Sequence, residues 1–242
     1  MTRPSPPLDT DPDRTATPAS AGSFDDPAGH WNRRYEAPGL LFGAAPNATL
    51  AAHERLFGPG DRVLCVADGE GRNSTWLAAR GCRVTAFDVS EVALDKARRL
   101  ARERGVEVDY RLASVDDWVW APDAFDAVVA VFVQFAAPAQ RAAMFRGFAR
   151  TLRSGGLLLL VGYGPRQLQY RTGGPGKPEH LYTEEMLRDA FAGWSIEHLV
   201  REDRVLHEGA GHDGQSDVLE MVARRDRDER DHPVATAAGN PS

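Results

Sequence analysis

The sequence predicts an α/β fold: a doubly wound, Rossmann-like sheet, mostly parallel, that closes on an antiparallel C-terminal hairpin. Three observations predict it. Short apolar runs alternate with amphipathic stretches of helical period between about residues 62 and 161. The first run empties into the glycine-bearing loop ADGEGRN. The last third holds two strand-like runs with no helix between them.

Arg62–Val66 is the first apolar run, and Asn73–Arg80 reads as the helix after the loop. Arg83–Phe87 is the second run, closed by Asp88. Ser90 then caps a helix whose Ala93, Ala97, Leu100 and Ala101 form a buried stripe. Glu107–Leu112 is a weaker third strand, whereas Phe125–Val133 is continuously apolar, as a strand covered on both faces requires. Pro138 opens a helix that presents Met144, Phe145, Phe148 and Leu152 on one face. Gly155-Gly156 is expected to end that helix, with Leu157–Val161 following as a fifth strand. After a helix near Glu184–Phe191, the runs Ser195–Arg201 and Asp217–Ala223 are expected to pair across a long polar linker.

Composition sets the limits of this unit. The 242 residues are 42% hydrophobic and 26% charged, which suits one packed domain and excludes global disorder. Residues 1–23 and 226–242 are rich in Pro, Thr, Ser, Asp and Ala and are expected to be disordered tails around a folded unit at 24–225. No run approaches the roughly 18 apolar residues of a membrane helix. The start lacks a basic-then-apolar leader pattern, and Cys65 and Cys82 sit in apolar stretches, so the reading is cytoplasmic. A net charge of −6 disfavours a nucleic-acid partner. The sequence carries no signal of oligomeric state.

In a doubly wound sheet, ligands bind beyond the carboxyl ends of the strands, where strand order reverses. The first strand delivers Ala67, Asp68, Gly69, Glu70, Gly71, Arg72 and Asn73 to that edge. Gly69 and Gly71 permit a tight turn and close backbone approach. Asp88 follows Gly71 by 17 positions, placing a carboxylate where it can accept both hydroxyls of an adenosine ribose. Such bonds contribute roughly 1.5–3 kcal/mol each. Nicotinamide or flavin dinucleotides and S-adenosyl-L-methionine both use this layout. Ser74 stands where a dinucleotide site prefers Gly or Ala, and Arg72 suits a carboxylate, so the spacing favours the methyl donor.

The stretch VLCVADGEGRNSTWLAARGCRVTAFDVSEVALDKA resembles the cofactor-binding segment of class I S-adenosylmethionine-dependent methyltransferases, in the small bacterial branch related to tellurite-resistance methyltransferases. WNRRY at Trp31, FDAVVAVF, LRSGGLLLLV, QLQYRTGGP and HEGAGHDGQS extend the resemblance over nearly all of the folded unit. The resemblance implies a seven-stranded sheet and S-adenosyl-L-methionine as cofactor. It implies that Ala67, Gly69, Gly71, Arg72 and Asn73 line the donor site, that Asp88 and Val89 meet the ribose, and that Ser114, Val115 and Val131 complete the wall. Ser114 stands in place of the usual acidic residue, with Asp116 or Asp117 as substitutes.

Methyl transfer needs an aligned nucleophile, exclusion of water and dissipation of positive charge. No strong base constellation is visible, which favours a small soft acceptor: a thiol, sulfide, or selenium or tellurium species. The alternatives are O- or N-methylation of a larger metabolite and a non-catalytic protein that keeps the donor site. Candidate acceptor contacts are Trp31, Arg34, Tyr163 and Tyr170, with Thr172–Gly176 as a mobile lid. Candidate catalytic side chains are His212, Gln134 and Tyr35. His207 and His212 are five apart without an evident third ligand, so no metal site is assigned.

Overall fold

The computed structural model describes residues 26–226. The tail assignments fall outside them, apart from Asp226 at the start of the second. Chain order gives α1 (Pro27–Tyr35), α2 (Ala48–Ala52), β1 (Arg62–Val66), α3 (Arg72–Ala79), β2 (Arg83–Asp88), α4 (Glu91–Glu103) and β3 (Asp109–Leu112). Then follow β4 (Phe125–Val131), α5 (Pro138–Thr151), β5 (Leu152–Tyr163), α6 (Gln167–Tyr170), α7 (Glu184–Ala190), β6 (Ser195–His207) and β7 (Asp213–Arg224).

The sheet has seven strands in the order β3-β2-β1-β4-β5-β7-β6. The first five are mutually parallel, and β7 slots between β5 and β6 antiparallel to both. The β1/β4 border is the switch point, so the loops after these two strands open onto a common cleft. Alternate residues of each strand feed two cores. Leu64, Val66, Val128 and Leu158 pack with Phe145 and Phe148 of α5 and Leu187 of α7. Val63, Cys65, Val129 and Leu159 pack with Leu50 of α2 and Leu77 of α3. Burial on both faces is why β1, β4 and β5 read as unbroken apolar runs.

Two expectations are corrected. The helix before LRSGG ends at Thr151, and β5 begins at Leu152, because Leu152 already pairs with Phe125 and Gly155 N donates to Arg225 O. The long polar linker does not exist: β6 runs to His207 and β7 starts at Asp213. Its polar residues belong to paired strands, since β6 is an edge strand with a solvated face. No helix among the described residues is long and apolar enough to cross a membrane.

Candidate active site

Backbone geometry sets the shape of the loop after β1. Ala67, Gly69 and Gly71 all have positive φ, at 47°, 64° and 87°. Gly71 does not face the cleft. A Cβ there would sit 2.8 Å from both Ala97 Cβ and the Tyr110 hydroxyl, so this glycine lets α3 start against α4. Gly69 does face the cleft, and a Cβ there would meet the Tyr35 hydroxyl at 2.8 Å.

Asp88 closes β2 beneath this loop. Its carboxylate accepts from Gly69 N at 2.9 Å and from Ser90 N at 2.8 Å, and burial pushes its carboxyl up to about 6. Asp68 is pushed up to about 7, again by burial, which outweighs its hydrogen bonds from Ser74. Each oxygen of Asp88 spends one lone pair on the backbone and keeps capacity for a ligand hydroxyl.

A cavity of about 260 Å³ lies above these carboxylates. Ala67, Gly69, Arg72, Asn73, Asp88, Val89, Ser114, Val115 and Val131 line it, as do Trp31, Tyr35 and His212. Sequence reasoning missed Phe42, Phe132 and Phe135 in the same wall. Phe132 is the first residue beyond β4, with φ of +56°, a conformation that costs a bulky side chain energy. Its ring stacks on Tyr163 at 4.6 Å and meets His212 at 4.3 Å. At the far end Ser114 Oγ donates to Asp117 at 2.7 Å, and Gln140 of α5 donates to Asp116 at 2.6 Å.

The segment before β1 forms the opposite wall. Asn32 of α1 accepts from Ser90 Oγ at 2.7 Å, which docks α1 on the start of α4. Glu70 accepts from Leu41 N at 2.7 Å and from Lys96 Nζ at 2.9 Å, while Lys96 also donates to the Ala37 and Gly39 carbonyls. None of these anchors was legible, since each joins residues at least 26 positions apart.

Several candidate residues have other duties. Gln134 donates to the Tyr163 and His180 carbonyls and accepts from Tyr163 N, so its amide is consumed in joining three backbone segments. Tyr163 lies behind Phe132, outside the cavity lining. Tyr170 is remote from the cavity and turned toward Asp203. Arg34 is exposed, with its guanidinium over the Trp31 ring at 5.0 Å. Tyr35 is buried beside Asp88 and Glu70; burial first, then these charges, raise its phenol well above the ordinary value, so it is no base. Arg72 gives its guanidinium to Glu208 at 2.7 Å and to the Phe42 carbonyl at 3.1 Å, not to an open carboxylate site. The Thr172–Gly176 segment is pinned where Thr172 donates to the Gln215 carbonyl and Gly174 packs on Tyr163.

The HEGAGH motif is the β6–β7 turn. His207 is 79% exposed and pairs with Asp213, whereas His212 points inward, with its ring against Phe42 at 4.4 Å. Among the described residues no cluster of three His, Cys, Asp or Glu could hold a metal ion.

A parallel sheet with an inserted antiparallel strand, a glycine loop after β1 and a carboxylate at the end of β2 define a Rossmann-like α/β architecture with a cleft at the switch point. Comparison with known proteins gives the particulars. Residues 63–156 match the family model described as a methyltransferase domain. The chain is 42% identical over 84 residues to a ribosomal protein L11 methyltransferase of Symbiobacterium thermophilum, covering 33% of this chain and 28% of that one. It is 39% identical over 103 residues to a ubiquinone biosynthesis O-methyltransferase of Xanthomonas campestris, covering 42% and 43%. The chain thus spans less than half the length of these curated relatives. Among solved structures, TehB from Haemophilus influenzae superposes with a TM-score of 0.60 at 16% identity, covering 82% of this chain and 66% of that one. A Methanosarcina mazei methyltransferase gives 0.62 at 17%, covering 76% and 100%. The folded unit thus has the fold of these methyltransferases, and residues 63–156 within it carry the match to the methyltransferase domain.

Proposed function

We propose that this chain methylates a small soft nucleophile: a thiol, a sulfide, or a selenium or tellurium species. The observation that carries the reading is the aromatic enclosure made by Trp31, Tyr35, Phe42 and Phe132 above the Asp88 loop. Aromatic faces exclude water, favour a polarisable acceptor and attract the cationic sulfonium, the last by about 0.5–2 kcal/mol per ring. In this reading Asp88 accepts the ribose hydroxyls, Gly69 and Ala67 leave room for the methionine portion, and Val89, Ser114 and Val115 flank the adenine. Bound S-adenosyl-L-methionine supplies the methyl group; the chain aligns the acceptor and keeps the enclosure dry. Buried, unpaired Cys65 and Cys82 accord with a cytoplasmic location.

A second reading, O-methylation of a larger metabolite, draws on the Xanthomonas relative. Headspace gas chromatography of the protein with S-adenosyl-L-methionine and, separately, sulfide, methanethiol, selenite and tellurite tests the first reading. A methylated volatile that depends on intact protein supports it. No volatile, with donor binding established by calorimetry, overturns it in favour of the second.

A further inference from the structure

We infer that Glu208 positions His212 as the proton acceptor of this site, and that the methyl acceptor is a neutral thiol or hydrogen sulfide rather than a chalcogen oxyanion. The inference rests on the methyltransferase reading and narrows it.

The turn that carries both residues is rigid. Glu208 N donates to His212 O at 2.9 Å, and Gly211 N donates to Leu41 O at 3.0 Å. Gly209, with φ of +71°, packs so tightly on Leu41–Gly43 that no Cβ would fit. The Glu208 carboxylate accepts from Asn47 Nδ2 at 2.9 Å, from Ala48 N at 3.2 Å and from Arg72 Nη2 at 2.7 Å. Burial alone would raise this carboxyl, but His212 and the Arg72 guanidinium outweigh it and hold it down at about 2, so it is an anion at neutral pH.

His212 is 7% exposed, with Phe42 and Phe132 against its ring. Its Nδ1 is buried, lies 3.9 Å from Glu208 Oε2, and has no hydrogen-bond partner among the described residues. That gap is longer than a hydrogen bond, and unliganded catalytic pairs commonly tighten on binding. Burial first, then the positive charges of Arg72 from α3 and Arg34 from α1, lower the imidazole, so it is neutral near pH 7. A neutral ring beside a fixed carboxylate keeps its proton on Nδ1. The lone pair is then on Nε2, the nitrogen left for a molecule in the cavity.

The charges of the wall select the acceptor. Asp68, Asp88 and Asp116 line the cavity, and among the described lining residues Arg72 is the one arginine or lysine, beside the neutral His212. Its guanidinium is spent on Glu208 and Phe42 O, so no arginine or lysine of the lining is left to hold a selenite or tellurite anion. A neutral thiol enters without that penalty, but its proton must then leave. As the sulfur lone pair bonds to the methyl carbon, the S–H proton passes to His212 Nε2, and the Glu208 carboxylate offsets the imidazolium that forms. The electron pair of the broken carbon–sulfonium bond stays on the donor's sulfur.

Ring nitrogen NMR on the full chain labelled with 15N-histidine, with and without S-adenosylhomocysteine, tests the pairing without turnover. The expected spectrum at pH 7.5 shows His212 protonated on Nδ1, and Glu208→Gln moves the proton partly to Nε2. A wild-type Nε2–H form, or a tautomer unchanged in Glu208→Gln, overturns the pairing. With methanethiol as acceptor, Glu208→Gln is expected to lower kcat at least tenfold with KM for the donor unchanged. His212→Asn, which leaves the Glu208 contacts in place, is expected to abolish the fall in thiol methylation on the acidic limb of the pH profile, where the imidazole of the wild-type chain is protonated. Equal turnover of selenite or tellurite and methanethiol overturns the acceptor assignment. Failure to bind S-adenosylhomocysteine by calorimetry instead overturns the methyltransferase reading, and the tautomer is read in either case.

Discussion

Glu70 and Lys96 form an ion pair at 2.9 Å, with side chains only 3% and 12% exposed, and this pair holds the N-terminal wall over the cavity. Glu70 reaches Leu41 N, and Lys96 reaches the carbonyls of Ala37 and Gly39. Removing one partner of a buried pair leaves the other charge uncompensated. Lys96→Met is therefore expected to cost about 3 kcal/mol in urea unfolding. The double variant Glu70→Gln/Lys96→Met should cost less than Lys96→Met alone. A single variant with wild-type stability would show that the anchor contributes nothing.

Asp88→Ala removes the carboxylate proposed to meet the ribose and also the acceptor for Gly69 N and Ser90 N. Donor affinity by calorimetry with S-adenosylhomocysteine is expected to fall by one to two orders of magnitude, from roughly 1.5–3 kcal/mol of charge-assisted bonding. Unchanged affinity would sink the assignment.

Burial holds the carboxyls of Asp68 at about 7 and Asp88 at about 6, above the roughly 3.9 of an unfolded Asp. The folded chain therefore binds more protons at these groups between about pH 4 and 7, and their contribution to stability falls as pH rises through that window. His30, His180 and His212 are lowered, chiefly by burial, and act oppositely below about pH 6.5, so a comparison with a variant isolates the effect. Asp68→Asn should gain stability relative to wild type from pH 5 to 8, by at most about 1.4 kcal/mol per pH unit. Parallel urea midpoint profiles would contradict the assignment. With Asp88 as the proposed ribose carboxylate, donor binding is expected to weaken as pH drops through about 6.

Phe132 combines a left-handed backbone with a ring packed on Tyr163 and His212. Both Phe132→Ala and Phe132→Gly lose the ring, but only glycine relieves the backbone. Phe132→Gly should be more stable than Phe132→Ala by about 1 kcal/mol, the reverse of the order in an ordinary strand. The usual order, measured by chemical denaturation, would show that the conformation carries no strain.

The β1 loop and Asp88 were legible because their chemistry lies within one short βαβ stretch, where glycine, strand period and carboxylate follow each other closely. The wall of the cavity was not. Phe42 and Phe132 look like any core aromatics in sequence, and the Arg72–Glu208 pair joins residues 136 positions apart. The apolar pattern ends the hairpin too soon because residues 201–207 and 213–217 are polar, yet β6 is an edge strand where pairing and exposure coexist, and polar residues 213–217 pair with it. Gln134 looked catalytic by position, but three backbone partners from β5 and the segment before α7 claim it.

The inserted position of β7 also has a temporal meaning. The glycine loop and Asp88 belong to residues 62–88, so their chemistry is complete early in synthesis. Strand β7 is the last described strand to leave the ribosome, yet it must enter between β5 and β6, and only then is the turn that carries Glu208 and His212 fixed against Arg72 and Asn47. A nascent chain halted before β7 holds the glycine loop but not the turn that closes the cavity, so the order of translation itself delays closure of the proposed site until β7 is made.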